Sequence, residues 1–199
     1  MAASPAIVRF RIILWTVVVL VALAAVALYI LKPAGAPVGV TGTPFALDST
    51  KGGTFTQDNL KGEPSLVFFG YTFCPDVCPT TMSDITVWKK DLGLSDAALR
   101  TIFVTVDPQR DTKAVLTEYL SNFGDGVIGL VGDQAQTDAA KASFGVFSEN
   151  QAPDKNGNYL VNHTATVFLM DKDGKFKGTI DYGEATDAAE GKIKRLVNG

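Results

Sequence analysis

The sequence predicts an α/β fold, and three features carry that prediction. Two short, almost wholly apolar runs, residues 65–71 and 101–107, have the character of buried central strands. A helical stretch over residues 78–92 lies between them. Strand, helix, strand within about forty residues is a βαβ unit with a right-handed crossover. Further on, residues 164–170 and 175–181 flank Asp171-Lys-Asp-Gly174 and read as an antiparallel hairpin, closed by a helix over 187–197.

Each element follows from local pattern. The run SLVFFGY at 65–71 is too short for a helix core and too apolar for a half-exposed strand. In the helix that follows, Met82, Ile85, Val87 and Trp88 supply the apolar positions, and Pro79 suits a first turn, where its missing N–H is not needed. Residues 111–123 read as a helix with Val115, Leu116, Tyr119 and Leu120 on one side and Asp111 as its N-cap, with Pro108 in the preceding turn. A strand over 127–131 and a helix over 134–144 come next. Near the start, residues 45–48 and 54–56 around Lys51-Gly-Gly53 predict a small extra hairpin. A βαβ half followed by a hairpin and a closing helix is the thioredoxin arrangement. The expected fold is therefore thioredoxin-like with an N-terminal β-hairpin extension, preceded by one transmembrane helix.

That helix is read from residues 12–31, twenty residues without a charge. As a helix they would span roughly 30 Å, the thickness of a hydrocarbon core. Trp15 and Tyr29 stand near its ends, and Arg9 and Arg11 precede it, which places residues 1–11 on the cytoplasmic or matrix side. A cleaved signal peptide has a shorter apolar stretch, and a buried core helix would show a polar face. Residues 32–43, with Pro33 and Pro37 among Gly and Ala, read as a flexible tether, leaving 44–199 as one domain. The domain then faces an oxidising compartment: the periplasm at a bacterial inner membrane, or the intermembrane space of a mitochondrion. Past residue 32 the chain holds 15 Lys plus Arg against 21 Asp plus Glu. An acidic domain has no electrostatic reason to approach a phosphate backbone, so nucleic acid is not an expected partner.

The chain of 199 residues has two cysteines and one histidine. Cys74-Pro-Asp-Val-Cys78 falls directly after the first strong strand, at the mouth of the next helix. On a helical turn residues i and i+4 share a face, so both sulfurs can point one way. A helix N-terminus favours thiolate, the form that binds metal and attacks disulfides. A structural disulfide closing so small a loop would constrain the unfolded chain little. The flanking Pro75, Asp76 and Pro79 argue against two inert core thiols. Thiol redox chemistry and metal binding remain. Redox motifs of the thioredoxin kind have two residues between the cysteines, and this has three. Two thiolates and one imidazole suit copper in either oxidation state, while structural zinc wants a fourth ligand. His163 stands just before the hairpin's first strand, where a thioredoxin fold brings the incoming loop beside the cysteine loop. Asn162 or a nearby carbonyl is expected to orient its ring. Asp107, at the end of the second strand, is divided between making a turn and supporting the site. The loops 154–158 and 171–174 fail the EF-hand pattern of Gly at position six and Glu at twelve, and no P-loop or dinucleotide fingerprint is present.

Three blocks resemble one family. Phe69-Gly-Tyr-Thr-Phe-Cys-Pro-Asp-Val-Cys-Pro-Thr-Thr-Met82, Val104-Thr-Val-Asp-Pro-Gln-Arg-Asp-Thr112 and Val161-Asn-His-Thr-Ala-Thr-Val-Phe-Leu-Met-Asp171 are similar, in order, to the signatures of the Sco/SenC/PrrC proteins. These are copper chaperones of cytochrome c oxidase assembly. The resemblance implies that Cys74, Cys78 and His163 bind one copper ion, as Cu(I) or Cu(II). It also implies a partner, oxidase subunit II or another copper-site acceptor. One departure is Asn162, where many members have Asp. The expected role is a binding protein rather than a turnover enzyme. The alternative is a membrane-anchored thiol–disulfide oxidoreductase, with Cys74 and Cys78 reducing the cysteines of the oxidase copper site.

Overall fold

The computed structural model describes residues 9, 11, 14–22 and 43–199. The chain divides into two compact units, Met1–Pro37 and Val38–Gly199. In the first, the described residues are helical. No helix among the described residues is long and apolar enough to cross a membrane. The span expected at 12–31 and the tether expected at 32–43 lie largely outside the described residues.

The second unit is built on a seven-stranded mixed sheet. Its strands are β1 (Ala46–Ser49), β2 (Thr54–Thr56), β3 (Ser65–Gly70), β4 (Arg100–Thr105), β5 (Ile128–Val131), β8 (Thr166–Met170) and β9 (Phe176–Asp181). They lie in the order β2-β1-β5-β4-β3-β8-β9. The central strands β3, β4 and β5 are parallel, and antiparallel pairs complete both flanks. Every residue of β3 is buried, which is why SLVFFG shows no alternation: it has a strand on each side and side chains packed on both faces. Four helices pack on the sheet: α1 (Val77–Asp91), α2 (Lys113–Leu120), α3 (Gln134–Phe144) and α4 (Thr186–Asn198). Helix α1 is the crossover of the βαβ unit. Phe144 of α3 joins the layers, with ring centroids 5.2 Å from Phe69 of β3 and 5.5 Å from Phe168 of β8.

Two of these helices, α2 and α3, carry side-chain N-caps, and the cap of α2 corrects the sequence expectation. Asp133 and Gln136 form a capping box at α3, and Gly145 closes that helix in the left-handed region. At α2 the cap is Thr112, whose hydroxyl accepts from the Val115 amide, not Asp111 as the sequence suggests. Asp111 is fully buried one residue earlier, because its carboxylate accepts from the Thr72 amide and from the Thr72 and Thr105 hydroxyls. Within α1, Met82, Ile85 and Trp88 are buried while Val87 faces solvent, so only three of the four apolar positions read from sequence belong to the core.

A two-stranded ribbon stands apart from the main sheet: β6 (Ser148–Asn150) pairs antiparallel with β7 (Val161–His163). Its strands are three residues each and mostly polar, so hydropathy does not announce them. His163 therefore lies in a strand of its own rather than in a loop.

The C-terminal ends of the parallel strands converge, as they do around ligands in open α/β sheets. The Val106 amide donates to the Gly70 carbonyl at 2.8 Å, holding the exits of β3 and β4 together. Gly70 is packed so closely that a Cβ there would meet Cys78 Sγ at 2.9 Å and the Phe103 ring at 2.9 Å. Neither neighbour has room to give, since both are fully buried. A Gly70→Ala variant should lose about 1–3 kcal/mol by overpacking. Urea unfolding of the metal-free chain checks this, and an unchanged midpoint would show that the sulfur can shift freely.

Candidate metal centre

The site begins with the loop between β3 and α1. Helix α1 starts at Val77, so Cys78 sits in its first turn while Cys74 belongs to the loop before it. The two sulfurs do not share a helical turn, as the spacing alone suggests. They meet because the loop folds back: the Cys74 amide donates to the Tyr71 carbonyl at 3.3 Å, and the Cys78 amide donates to Cys74 Sγ at 3.4 Å. Cys78 is fully buried and Cys74 partly exposed, and both thiols are free.

The third member arrives from β7, 85 residues after Cys78, with His163 Nε2 at 3.5 Å from Cys78 Sγ. His163 Nδ1 lies 3.0 Å from the Thr164 carbonyl. A carbonyl only accepts, so Nδ1 carries the proton and Nε2 presents a lone pair to the sulfurs, the tautomer a metal ligand requires. The ring packs edge-on against Tyr71 and Phe68, at centroid distances of 5.8 and 6.1 Å. One donor atom from each of Cys74, Cys78 and His163 lies within 4.8 Å of the others. This is the one such group among the described residues that includes cysteine.

The sulfurs are electrostatically unequal. A hydrogen bond from Cys78 holds the Cys74 thiol far below its usual range, at about 3, against the opposing cost of burial and with help from the amides of Asp76 and Cys78. The same hydrogen bond, together with burial, pushes the Cys78 thiol up. The pair therefore shares one proton, and Cys74 is the thiolate. Burial chiefly, with the nearby sulfurs, also raises the Tyr71 phenol, which stays neutral.

The two residues expected to support the ligands separate. Asn162 points to the other face of β7, because successive strand residues alternate, and its side-chain oxygen accepts from Gln151 Nε2 at 2.7 Å. The Thr164 carbonyl meets the ring instead. Asp107 is buried; its carbonyl accepts from the Arg110 and Asp111 amides, so it does make the turn. Its carboxylate also pairs with Arg110 Nε and accepts from the Tyr159 hydroxyl at 2.8 Å. Sequence reading misses Tyr71, Thr72, Arg110 and Tyr159. The i,i+3 spacing of Asp107 and Arg110 is a legible signal for their ion pair. Nothing in the sequence points Tyr159 at a residue 52 positions away.

Residues 34–198 match the SCO1/SenC family model. The chain is 38% identical over 136 residues to the SCO2-like protein of Rickettsia prowazekii, covering 68% of this chain and 66% of that protein. It is 39% identical over 137 residues to the mitochondrial protein SCO2 of Saccharomyces cerevisiae, covering 68% of this chain and 46% of that one. The match thus spans under two thirds of each relative's length. Among solved structures, Bradyrhizobium japonicum ScoI with copper bound superposes with a TM-score of 0.69 at 40% identity, covering 77% of this chain and 97% of that chain. Its thioredoxin-like domain, its cysteine-histidine cluster and the breadth of these matches place the chain in the SCO1/SenC family.

Proposed function

We propose that this chain is a copper carrier in which Cys74, Cys78 and His163 hold one copper ion, as Cu(I) or Cu(II), for assembly of the binuclear copper site of cytochrome c oxidase. The observation that carries this reading is the convergence of two sulfurs and an imidazole lone pair within 4.8 Å. Copper is the cargo. Thiolate is soft and selects Cu(I), and imidazole serves both states. Capture needs Cys78 to give up its thiol proton, because the ligand form is the thiolate. Cys78, fully buried, forms the floor of the site, while Cys74 and His163 stand at its partly open rim. Thiolates of an acceptor would displace the rim ligands first and Cys78 last. A three-ligand site leaves room for such an incoming group, which a closed four-ligand site would not.

The acceptor in this reading is subunit II of the oxidase, and residues 12–31 anchor the chain in the membrane beside it. Support for the anchor is the twenty-residue uncharged run preceded by Arg9 and Arg11. The tether at 32–43 gives the domain its reach, and the domain faces the periplasm of a bacterium or the intermembrane space of a mitochondrion.

One observation favours a second reading. A thiolate at Cys74 beside a protonated Cys78 is also the resting state of a dithiol reductant. Cys74 would attack one sulfur of an acceptor disulfide and expel the other as thiolate. Cys78, losing its proton, would then attack the Cys74 sulfur and release the second acceptor thiolate. The acceptor gains two electrons, and this chain is left with a Cys74–Cys78 disulfide.

Three measurements test these readings on the reduced full-length chain. Competition titration with Cu(I) should show His163→Ala weakening copper by at least about 100-fold, beyond what loss of a ligand-orienting group costs; an unchanged affinity would remove His163 from the ligand set. Alkylation of metal-free protein by iodoacetamide should proceed at Cys74 almost equally fast at pH 8 and pH 5, since a thiol with its pKa at about 3 is ionised throughout. An ordinary thiol slows by about three orders of magnitude over that range, and such a fall at Cys74 would contradict the assigned thiolate. For the reductant reading, Cys78→Ser should trap a mixed disulfide between Cys74 and the oxidised acceptor, and Cys74→Ser should trap none.

A further inference from the structure

The arm that carries His163 does not belong to the main sheet. β7 pairs only with β6 in a ribbon of three-residue strands, and such a ribbon has little stability of its own. Something outside the ribbon must fix where the imidazole sits relative to the sulfurs. Two attachments hold the N-terminal end of β7, one at its first residue and one just before the strand. The first is the buried bond from the Val161 amide to the Tyr71 hydroxyl at 3.2 Å. The second is a cluster around Arg110.

The Arg110 guanidinium lies 3.6 Å from the centroid of the Tyr159 ring, which is stacking distance. Its Nη1 donates to the Tyr159 carbonyl at 2.9 Å. Its Nε pairs with the Asp107 carboxylate, whose other oxygen accepts from the Tyr159 hydroxyl at 2.8 Å. Tyr159 is thus gripped at its ring, its carbonyl and its hydroxyl by two residues of the turn after β4. The same cation lies near the cysteine loop, with the Phe73 ring centroid at 4.8 Å and the Tyr71 ring centroid at 5.7 Å. Phe73 is the neighbour of Cys74, and Tyr159 lies four residues before His163. One planar cation therefore touches both segments that bring in the ligands.

A purely structural ion pair would not need this arrangement. Arg110 and Asp107 already pair within one turn of chain, yet both extend to a single tyrosine on a distant loop. Lysine could neutralise Asp107 but could not stack flat on Tyr159 while donating to its carbonyl. The side chains of the cluster hydrogen-bond to neither the imidazole nor the sulfurs, so they act through the backbone of residues 159–163.

We infer that Asp107, Arg110 and Tyr159 form a clamp that sets the approach of the His163 imidazole to the two cysteine sulfurs; all three are positioning residues for the third ligand. The inference rests on the copper reading above for what the imidazole does there, and on the geometry alone for what holds it.

A double-mutant cycle separates the two. Arg110→Lys keeps the charge and removes the stack and the fork; Tyr159→Phe keeps the ring and removes only the hydroxyl bond to Asp107. Cu(I) affinity of the full chain is measured for each variant in the natural background and in His163→Ala. Arg110→Lys should weaken copper by about 10-fold where His163 is present and by less than about 2-fold where it is absent, with Tyr159→Phe smaller in the same pattern. Equal losses in both backgrounds, or no loss in the first, would overturn the clamp. Amide hydrogen exchange of the metal-free chain gives a readout independent of copper. The amides of Val161 to Thr164 should exchange faster in Arg110→Lys, with those of Thr166 to Met170 unchanged. Unchanged exchange at Val161 to Thr164 also overturns the clamp. Should His163→Ala by itself leave copper affinity intact, the ligand reading fails, and the exchange result alone decides the clamp.

Discussion

A buried hydrogen bond from the Val161 amide to the Tyr71 hydroxyl joins the two parts of the chain that make the site. Tyr71 opens the loop that carries Cys74, and Val161 opens the strand that carries His163. The Tyr71 ring lies edge-on to the imidazole, so one side chain sets both the height of the arm and the tilt of the ring. The Thr164 carbonyl then fixes which nitrogen faces the sulfurs. Each of these contacts is ordinary. Together they bring a lone pair and two sulfurs to a common point, which neither segment could hold alone.

Around that point the charges are arranged to keep one negative sulfur and no other anion in contact with it. Asp107 is paired with Arg110, and Asp111 is enclosed by Thr72 and Thr105. Burial raises the Asp111 carboxyl, and its hydroxyl and amide donors oppose that rise. Its placement has a structural consequence: the Thr72 amide and hydroxyl bond to a residue at the exit of β4, so the cysteine loop is anchored to the neighbouring strand as well as to its own helix. Cys78, pressed beneath Gly70 and Phe103, has no freedom to move away. Cys74 and His163 are the partly exposed members, the ones an incoming partner can reach. That division suits a protein whose ligand must be held and then surrendered.

The same geometry explains how one site could serve cargo binding and electron transfer to an acceptor disulfide. Both need one sulfur ionised before the event and the second ready to lose a proton during it. The imidazole matters for the first task and not for the second, which makes the position of His163 the structural difference between them.

Much of the fold was legible because it rests on local pattern. The apolar runs at 65–71 and 101–107, the helix at 134–144 and the turn at Asp171–Gly174 lie where hydropathy period and turn chemistry place them. The three side chains that converge at the candidate site were legible too, since scarcity and spacing single out Cys74, Cys78 and His163. Asn162 and Asp111 were misread for a common reason. Sequence shows that a polar residue is near a site or a helix start, but not which way its side chain points. In β7 alternation turns Asn162 away, and the competing donors of Thr72 and Thr105 draw Asp111 inward from the cap. The ribbon β6–β7, the tautomer of His163 and the Arg110–Tyr159 stack were decided only in three dimensions. Each depends on a partner far along the chain, and local propensity contains no term for a contact that exists only after the backbone has closed.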